Sequence, residues 1–542
     1  MYKPSMDREQ EEGNIEYKLK VIHKDKKRLQ ELTSQMAYRL NEGSGECIYI
    51  LGVSDTGDMV GINEEEYTIS LENLKKFALA NDSHIINISK KKMEEEDRYI
   101  YEILIREHIE NKYIDIKVAI AGNVDSGKST FIGVMITGKN DNGRGMSRLS
   151  VFNYPHEIKS GRTSSISHQI LGFDHVGNIV NYDSMHKLDW NEIVKRSSKI
   201  ISFFDLAGHE KYLKTTILGL SSSIPDLCFI TVGANMGLTR MTKEHIFLCV
   251  MLNIPFSIII TKIDICKNRE SVMDDTIQEV KKLLKLPGIR RITYKINDLD
   301  DIILVSKHKN QNSIVPLFFT SNVTGEGLPL VKQYLNFINK QKDNKNNQDK
   351  NVEFHIDTIF FVTGVGTVLG GHLKYGTIKN GDKLYLGPNN TSYEPYTVKS
   401  IHCKRTLVTE VKASCYVCLC LKKLLRKNIR KGQVLLGEST PKNSILEFDA
   451  DISVLKSHST TIKVGYEPIL HVSTIRQAAK IIQINNKVSS KQNITNDLIL
   501  RTGDKGNIRF RFKQRREYIK EGYKILLVEG KLKIIGLITK IY

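Results

Sequence analysis

No apolar run in the 542-residue chain approaches the roughly 18 to 20 residues a membrane-spanning helix requires, so no membrane partner is expected. The first residues, Met1-Tyr-Lys-Pro-Ser-Met-Asp-Arg-Glu-Gln-Glu-Glu12, lack an apolar stretch of the signal-peptide kind. The last residues carry no lipidation or retention pattern, and a cytoplasmic location is the expectation. A disulfide framework is also missing. The cysteines Cys47, Cys228, Cys249, Cys266, Cys403, Cys415, Cys418 and Cys420 stand mostly inside apolar runs, as reduced thiols do. Cys415 and Cys418 have metal-like spacing, but no second pair follows, and the segment reads as a buried strand.

Acidic residues are sparse in the C-terminal third. Residues 351–542 hold 32 basic and 15 acidic residues, whereas residues 1–350 hold 48 and 46, so nearly all of the formal charge of +19 lies beyond residue 350. Such asymmetry points to a polyanionic partner, with a solvated lysine-rich surface as the plainer alternative. The densest stretch is Arg509-Phe-Arg-Phe-Lys513; as a strand it would turn Arg509, Arg511 and Lys513 to one face, a candidate RNA-phosphate track.

The length suits about three or four domains. From Tyr17 to about Glu110, short strands (Tyr17–Ile22, Cys47–Val53, Tyr99–Ile105) alternate with helical stretches at 26–41 and 70–81, and Asp55-Thr-Gly-Asp58 reads as a hairpin turn. We therefore expect an α+β module over 1–115. Residues 116–338 alternate buried strands (116–121, 168–174, 199–205, 227–232, 256–261 and 316–320) with helices, the pattern of a doubly wound, mostly parallel sheet. Residues 339–351 are too polar to bury anything and read as a linker. Glycine-punctuated β runs then suggest two β-barrel domains, at 352–440 and 441–542, the second markedly basic.

The chemistry begins at Gly122, Asn123, Val124, Asp125, Ser126, Gly127, Lys128, Ser129 and Thr130, which fit G-x-x-x-x-G-K-[ST] between a strand and an apolar helix start. In such a loop backbone N–H groups wrap the β-phosphate. Lys128 supplies charge between the β- and γ-phosphates, and Ser129 completes Mg²⁺ coordination. The downstream elements choose the base. Asp205-Leu-Ala-Gly208 ends a strand, where Asp205 can hold a Mg²⁺-bound water and Gly208 N–H can face the γ-phosphate. Thr261-Lys-Ile-Asp264, also at a strand end, places Asp264 to accept from guanine N1–H and N2–H₂, with Lys262 over the base. Adenine offers no such donor pair, so GTP and GDP are the expected nucleotides. Ser321 and Asn322 follow another strand and can reach the base edge. Between the P-loop and Asp205 a hydroxyl must sense the γ-phosphate and ligate Mg²⁺; Gly161-Arg-Thr-Ser-Ser-Ile-Ser167 offers Thr163, with Ser164 and Ser165 as alternatives. His209, next after Gly208, is placed to orient an attacking water.

Asn123-Val-Asp-Ser-Gly-Lys-Ser129, Asp141-Asn-Gly-Arg-Gly145, His156-Glu-Ile-Lys-Ser-Gly-Arg-Thr-Ser-Ser-Ile-Ser167 and Asp205-Leu-Ala-Gly-His209 closely resemble the GTP-binding protein 1 and 2 family of elongation-factor-like GTPases. The resemblance runs from about Glu12 to Tyr542. It implies a G domain followed by two β-barrels, Mg²⁺-dependent GTP hydrolysis, and a monomer acting on the ribosome with tRNA or another RNA. It makes Lys128, Asp125, Thr163 and His209 the catalytic candidates, His209 standing where the larger family has a ribosome-positioned histidine. The chain departs from the pattern twice. Thr261 replaces the asparagine of N-K-x-D, removing one amide contact, and Ala413-Ser414 stands where elongation factors commonly have Ala-Gly. The leading expectation is a translational GTPase timed by its nucleotide. The alternative is a GTP-dependent RNA-binding adaptor in ribosome rescue or RNA decay that delivers no tRNA.

Overall fold

The computed structural model describes residues 8–9, 13–22, 25–43, 45–93, 97–107, 113–182, 188–223, 225–266, 270–286, 289–307, 313–340, 351–454, 461–488, 499–501, 503–529 and 532–542. Most of the expected 339–351 linker lies outside them. The chain divides into two compact units, residues 1–216 with 225–341, and 217–224 with 342–542. No described helix is long and apolar enough to cross a membrane.

The first unit opens with a four-stranded sheet in the order Ile15–Lys18, Glu46–Leu51, Tyr99–Glu107, Ser83–Lys92. Val53 and Met59 bridge across the Asp55–Asp58 turn. Helices Lys26–Glu42 and Glu64–Ala80 pack Leu32, Met36, Leu40, Leu74 and Phe77 against Tyr49 and Tyr101 on one face of this sheet. The second helix begins six residues before the expected 70, because Asn63 and Glu66 form a reciprocal capping box ahead of the apolar stripe. Strand Ser83–Lys92 carries no sequence alternation strong enough to announce it.

The opposite face of the small sheet presents Ile48, Ile50, Ile100 and Leu104 to a core shared with Val118, Ile120 and Phe203. Glu46–Leu51 is therefore buried throughout. Glu46 sits in that seam, where Arg106 Nε meets it at 2.7 Å and Lys199 Nζ at 3.1 Å. Lys199 Nζ also donates to the carbonyls of Asn336 and Ile338. Removing one partner from so buried a set costs about 3 to 5 kcal/mol, so the seam fixes how the small sheet sits on the larger one.

The larger sheet has seven strands in the order Ile292–Lys295, Ile314–Phe319, Phe256–Thr261, Leu227–Gly233, Ile114–Gly122, Lys199–Asp205, Ser167–Phe173. All neighbours are parallel except the last pair. Ile292–Lys295 was not expected; its four residues are an edge strand with exposed ends, and its alternation is too short to announce it. The carboxyl ends of the three strands ending at Gly122, Asp205 and Thr261 lie together, the crevice where open α/β sheets bind ligands.

The second unit holds two closed six-stranded barrels. The first runs Lys383–Asn389, Val434–Leu436, Glu353–Val362, Gly366–Tyr375, Cys415–Leu421, Ser392–Cys403 and back to Lys383–Asn389. The second runs Glu447–Val454, Lys505–Phe512, Ile475–Val488, Ile469–Val472, Lys524–Glu529, Leu532–Ile541 and closes on Glu447–Val454. Between the barrels, Glu353 accepts from His355 Nε2 at 2.7 Å, Tyr518 Oη at 3.1 Å and Lys520 Nζ at 2.5 Å. Burial opposes its ionisation but is outweighed by the hydrogen bond from His355 and the neighbouring lysines, and the carboxyl stays well below its ordinary range. Burial pushes His355 itself downward, so at neutral pH it donates as a neutral ring while Lys520 carries the charge.

Lys505–Phe512 turns Phe510 and Phe512 into the second barrel and Arg509 and Arg511 outward. The expected phosphate track is largely neutralised. Arg509 pairs with Asp449 at 2.8 Å and Arg511 with Glu447 at 3.5 Å, each across the strand register, and Lys513 pairs with Glu467. Four exposed cations of the first barrel, Lys422, Lys423, Arg426 and Lys427, follow strand Cys415–Leu421, and none is in an ion pair with a described residue.

Candidate functional site

Helix Lys128–Thr137 follows the glycine-rich loop directly, with Gly127 at its N-cap offering no side-chain cap, so the first-turn N–H groups face outward. They open onto a cavity of about 480 Å³. Lys128, Arg144, Arg148, Arg162 and Lys262 line it against the carboxylates of Asp125, Asp141 and Asp264, an excess of positive charge that suits a polyphosphate.

Of the residues singled out from sequence, Val124, Asp125, Gly127, Lys128, Ser129, Thr130, Thr163, Gly208, His209, Lys262, Asp264 and Asn322 line this cavity. Gly122, Asn123, Ser126, Asp205, Thr261 and Ser321 stand behind its wall. Lys128 is buried and donates to the Asn123 carbonyl at 2.6 Å. Burial pushes its ammonium down to about 8, opposed by the charges of Asp205 and Asp125, which leaves it protonated at neutral pH. Gly208 crosses so near that a Cβ there would stand 2.4 Å from Lys128 Nζ and 2.7 Å from the Gly122 carbonyl.

Ser129 Oγ donates to Asp205 Oδ2 at 2.6 Å, and Thr163 Oγ1 lies 3.2 Å from the same oxygen and 2.9 Å from Ser129 Oγ. Asp205 is fully buried, and burial pushes its carboxyl up to about 6 against the opposing pull of Lys128, Ser129 and Thr163. Its Oδ1 has no hydrogen-bond partner among the described residues. A buried carboxylate oxygen left unsatisfied beside two converging hydroxyls is an oxygen-only donor set, which fits a hard divalent cation such as Mg²⁺.

The three candidate hydroxyls separate cleanly. Ser164 and Ser165 direct both their N–H groups and their hydroxyls to Glu157 Oε1, at 2.7 to 3.1 Å, and only Thr163 reaches Ser129. Glu157 lies within a family motif but has no role assigned from sequence. Burial opposes its ionisation but is outweighed by the N–H donors of Ser164, Ser165 and Asn153, which hold it below the usual carboxylate range. His209 is half-buried, with Nδ1 accepting from the Lys211 N–H at 3.1 Å. That bond leaves Nε2 as the ring atom available to the cavity.

At the other end of the cavity, Thr261 Oγ1 donates to the Ser126 carbonyl at 2.8 Å, so this side chain ties the glycine-rich loop to its strand. Ser321 Oγ accepts from the N–H groups of Val323 and Thr324, while its own N–H bonds Glu326. Asn322 keeps a buried Oδ1 without a partner on the wall shared with Asp264. Asp141 likewise lies within a family motif without a role assigned from sequence. It donates its N–H to the Asn322 carbonyl at 2.8 Å and accepts from the N–H groups of Gly143, Gly145 and Ser147 at 2.9 Å. The run Asp141-Asn-Gly-Arg-Gly145, a short acid followed by two glycines, was the available signal. Deeper still, His245 Nδ1 accepts the Gly122 N–H at 3.0 Å, from a helix that carries no motif.

Residues 115–348 match the elongation factor Tu GTP binding domain and residues 366–436 match elongation factor Tu domain 2. The chain is 39% identical over 514 residues to GTP-binding protein 1 of Xenopus laevis, covering 94% of this chain and 76% of the relative. It is 38% identical to GTP-binding protein 2 of Homo sapiens, covering 99% and 88%. The chain belongs to the GTP-binding protein 1 and 2 family. Membership makes it an elongation-factor-like GTPase that binds guanine nucleotide and hydrolyses GTP to GDP and phosphate. The structure resembles translation elongation factor SelB of Methanococcus maripaludis in complex with the GTP analogue GppNHp, with a TM-score of 0.56, 21% identity and 80% of each chain covered. At that identity the likeness shows the fold alone. In this family member the G domain is followed by two barrels in the same chain.

Proposed function

We propose that this GTPase is a Mg²⁺-dependent switch on the ribosome, timed by its nucleotide and engaging tRNA. The observation that carries the reading is the meeting of Thr163 with Ser129 and Asp205, which ties the segment after Gly161 to the end of the cavity where a γ-phosphate would lie. Ser129 and Thr163 would hold Mg²⁺ directly and Asp205 through a water; when bound, the cation neutralises charge building on the phosphate oxygens. Lys128 supplies fixed positive charge between the β- and γ-phosphates. The loop from Gly122 to Thr130, with Asp125 in a left-handed conformation at φ 59°, wraps the β-phosphate. Gly208 N–H faces the γ-phosphate, and His209 Nε2 orients the attacking water once a partner turns the ring inward.

For base choice, Asp264 accepts from guanine N1–H and N2–H₂, Lys262 covers the ring, and Asn322 Oδ1 reaches the base edge. Ser321 and Thr261 serve as supports for that end, since their side chains are already engaged. The exposed, unpaired Lys422, Lys423, Arg426 and Lys427 support an RNA partner better than the neutralised face of the second barrel does. A cytoplasmic site of action goes with a ribosomal partner.

Co-sedimentation with ribosomes in GDP and in a non-hydrolysable GTP analogue tests the switch. The analogue should raise the bound fraction well above that in GDP. Equal pelleting in both nucleotides would remove the timing role and leave an RNA-binding adaptor.

A further inference from the structure

We propose that Arg148 is an arginine supplied by the G domain itself to the terminal phosphate of GTP, distinguishing GTP from GDP and contributing to hydrolysis. The inference rests on the proposed placement of the γ-phosphate beside Thr163. Arg148 lines the nucleotide cavity half-buried, in the middle of the short helical segment Met146–Ser150. Its Nη1 donates to the Gly161 carbonyl at 3.3 Å, two residues before Thr163, which meets Ser129 and Asp205.

The guanidinium is confined by glycine backbone on two sides. A Cβ on Gly145 would stand 2.8 Å from Arg148 Nε, and one on Gly161 2.9 Å from Nη2, so the guanidinium lies close against both backbones. Arg144 and Arg162 line the same cavity but are exposed and have no such seat.

The charge on Arg148 is unspent. No described carboxylate pairs with it. Asp141, the acid of the same loop, accepts from three backbone N–H groups. A half-buried guanidinium with one carbonyl contact retains several N–H donors, in the planar arrangement that suits phosphate oxygens. Its position also couples the two ends of the cavity. The loop that carries it is tied to the base-side Asn322 carbonyl through the Asp141 N–H, and to the Thr163 segment through Gly161. An added negative group beside Thr163 is the only part of GTP that GDP lacks, and Arg148 is tied to that segment at the Gly161 carbonyl while its other N–H donors have no described carboxylate to meet.

The test compares Arg148→Ala and Arg148→Gln with the unaltered protein by titrating fluorescent GTP-analogue and GDP and by single-turnover GTP hydrolysis. Glutamine removes the charge while keeping a planar amide donor near the position of Arg148 Nε. Both variants should lose the preference for the GTP analogue over GDP by roughly 10- to 100-fold, and hydrolysis should slow by a similar factor, with GDP affinity unchanged. Unaltered preference in Arg148→Gln would make Arg148 a structural tie and overturn the proposal, as would an equal loss of both nucleotides in Arg148→Ala. Lys128→Ala separates the two levels. If it still binds GTP, the reading of the cavity fails. If it abolishes binding while Arg148→Gln keeps its preference, only the role of Arg148 fails.

Discussion

Gly208→Ala is the smallest change that should disable the nucleotide site, and its effect follows from three distances. The added Cβ would lie 2.4 Å from Lys128 Nζ, 2.7 Å from the Gly122 carbonyl oxygen and 2.8 Å from the Asn123 carbonyl carbon. A lysine tip can ordinarily swing aside, but this one is buried and bonded to Asn123 at 2.6 Å. The other two atoms are loop backbone and cannot yield without moving the turn that wraps the phosphate. The methyl therefore unseats Lys128. A hydrogen bond to a charged group contributes about 1.5 to 3 kcal/mol, so GTP affinity should fall roughly 10- to 150-fold. Overpacking adds a stability cost of about 1 to 3 kcal/mol. Fluorescent GTP-analogue titration reads the first effect and thermal unfolding of the nucleotide-free protein the second. Unaltered affinity with an unaltered melting midpoint would show that Gly208 does not press on the glycine-rich loop and would refute the reasoning.

Asp264→Asn should exchange guanine for xanthine preference, because the C2 carbonyl of xanthine suits an amide donor; competitive binding that still favours GTP would remove Asp264 as base reader. Replacing Lys422, Lys423, Arg426 and Lys427 by glutamine should flatten the salt dependence of RNA binding by about 0.7 to 0.9 in log–log slope per lost phosphate contact. The same replacement of Arg509, Arg511 and Lys513 should change it less, and the reverse order would return the RNA track to the second barrel. Ser414 holds φ at 72°, a left-handed conformation costly for any residue with a Cβ, and its N–H bonds the Leu373 carbonyl at 2.7 Å. Ser414→Gly should therefore stabilise the barrel unit by up to about 1 kcal/mol in chemical denaturation; a loss of stability would mean that the serine side chain compensates its backbone.

Much of the architecture was legible because its signals are local. Gly122 to Thr130 encodes a backbone conformation, and the buried strands ending at Asp205 and Thr261 are continuous apolar runs that only a sheet covered on both faces accommodates. Strand Ile292–Lys295 was not read, since the alternation of a four-residue edge is too short to tell from a loop. The candidate hydroxyls illustrate a second limit. Thr163, Ser164 and Ser165 are equivalent in sequence, and what separates them is Glu157, folded so that its carboxylate collects both serines. Charge gave the third. Counting cations singled out Arg509, Arg511 and Lys513, but register places Asp449 and Glu447 opposite the two arginines, which no count along the chain can reveal.

The central claim is that the ribosome completes a GTPase site already built around Lys128, Thr163, Asp205 and His209, and steady-state GTP turnover with and without ribosomes tests it most directly. The isolated protein should be slow, and ribosomes should accelerate it by about 10³-fold or more, as completion of the site does in partner-assisted GTPases. His209→Ala should bind GTP normally and lose most of that acceleration. Turnover indifferent to ribosomes, or full acceleration in His209→Ala, would contradict the account.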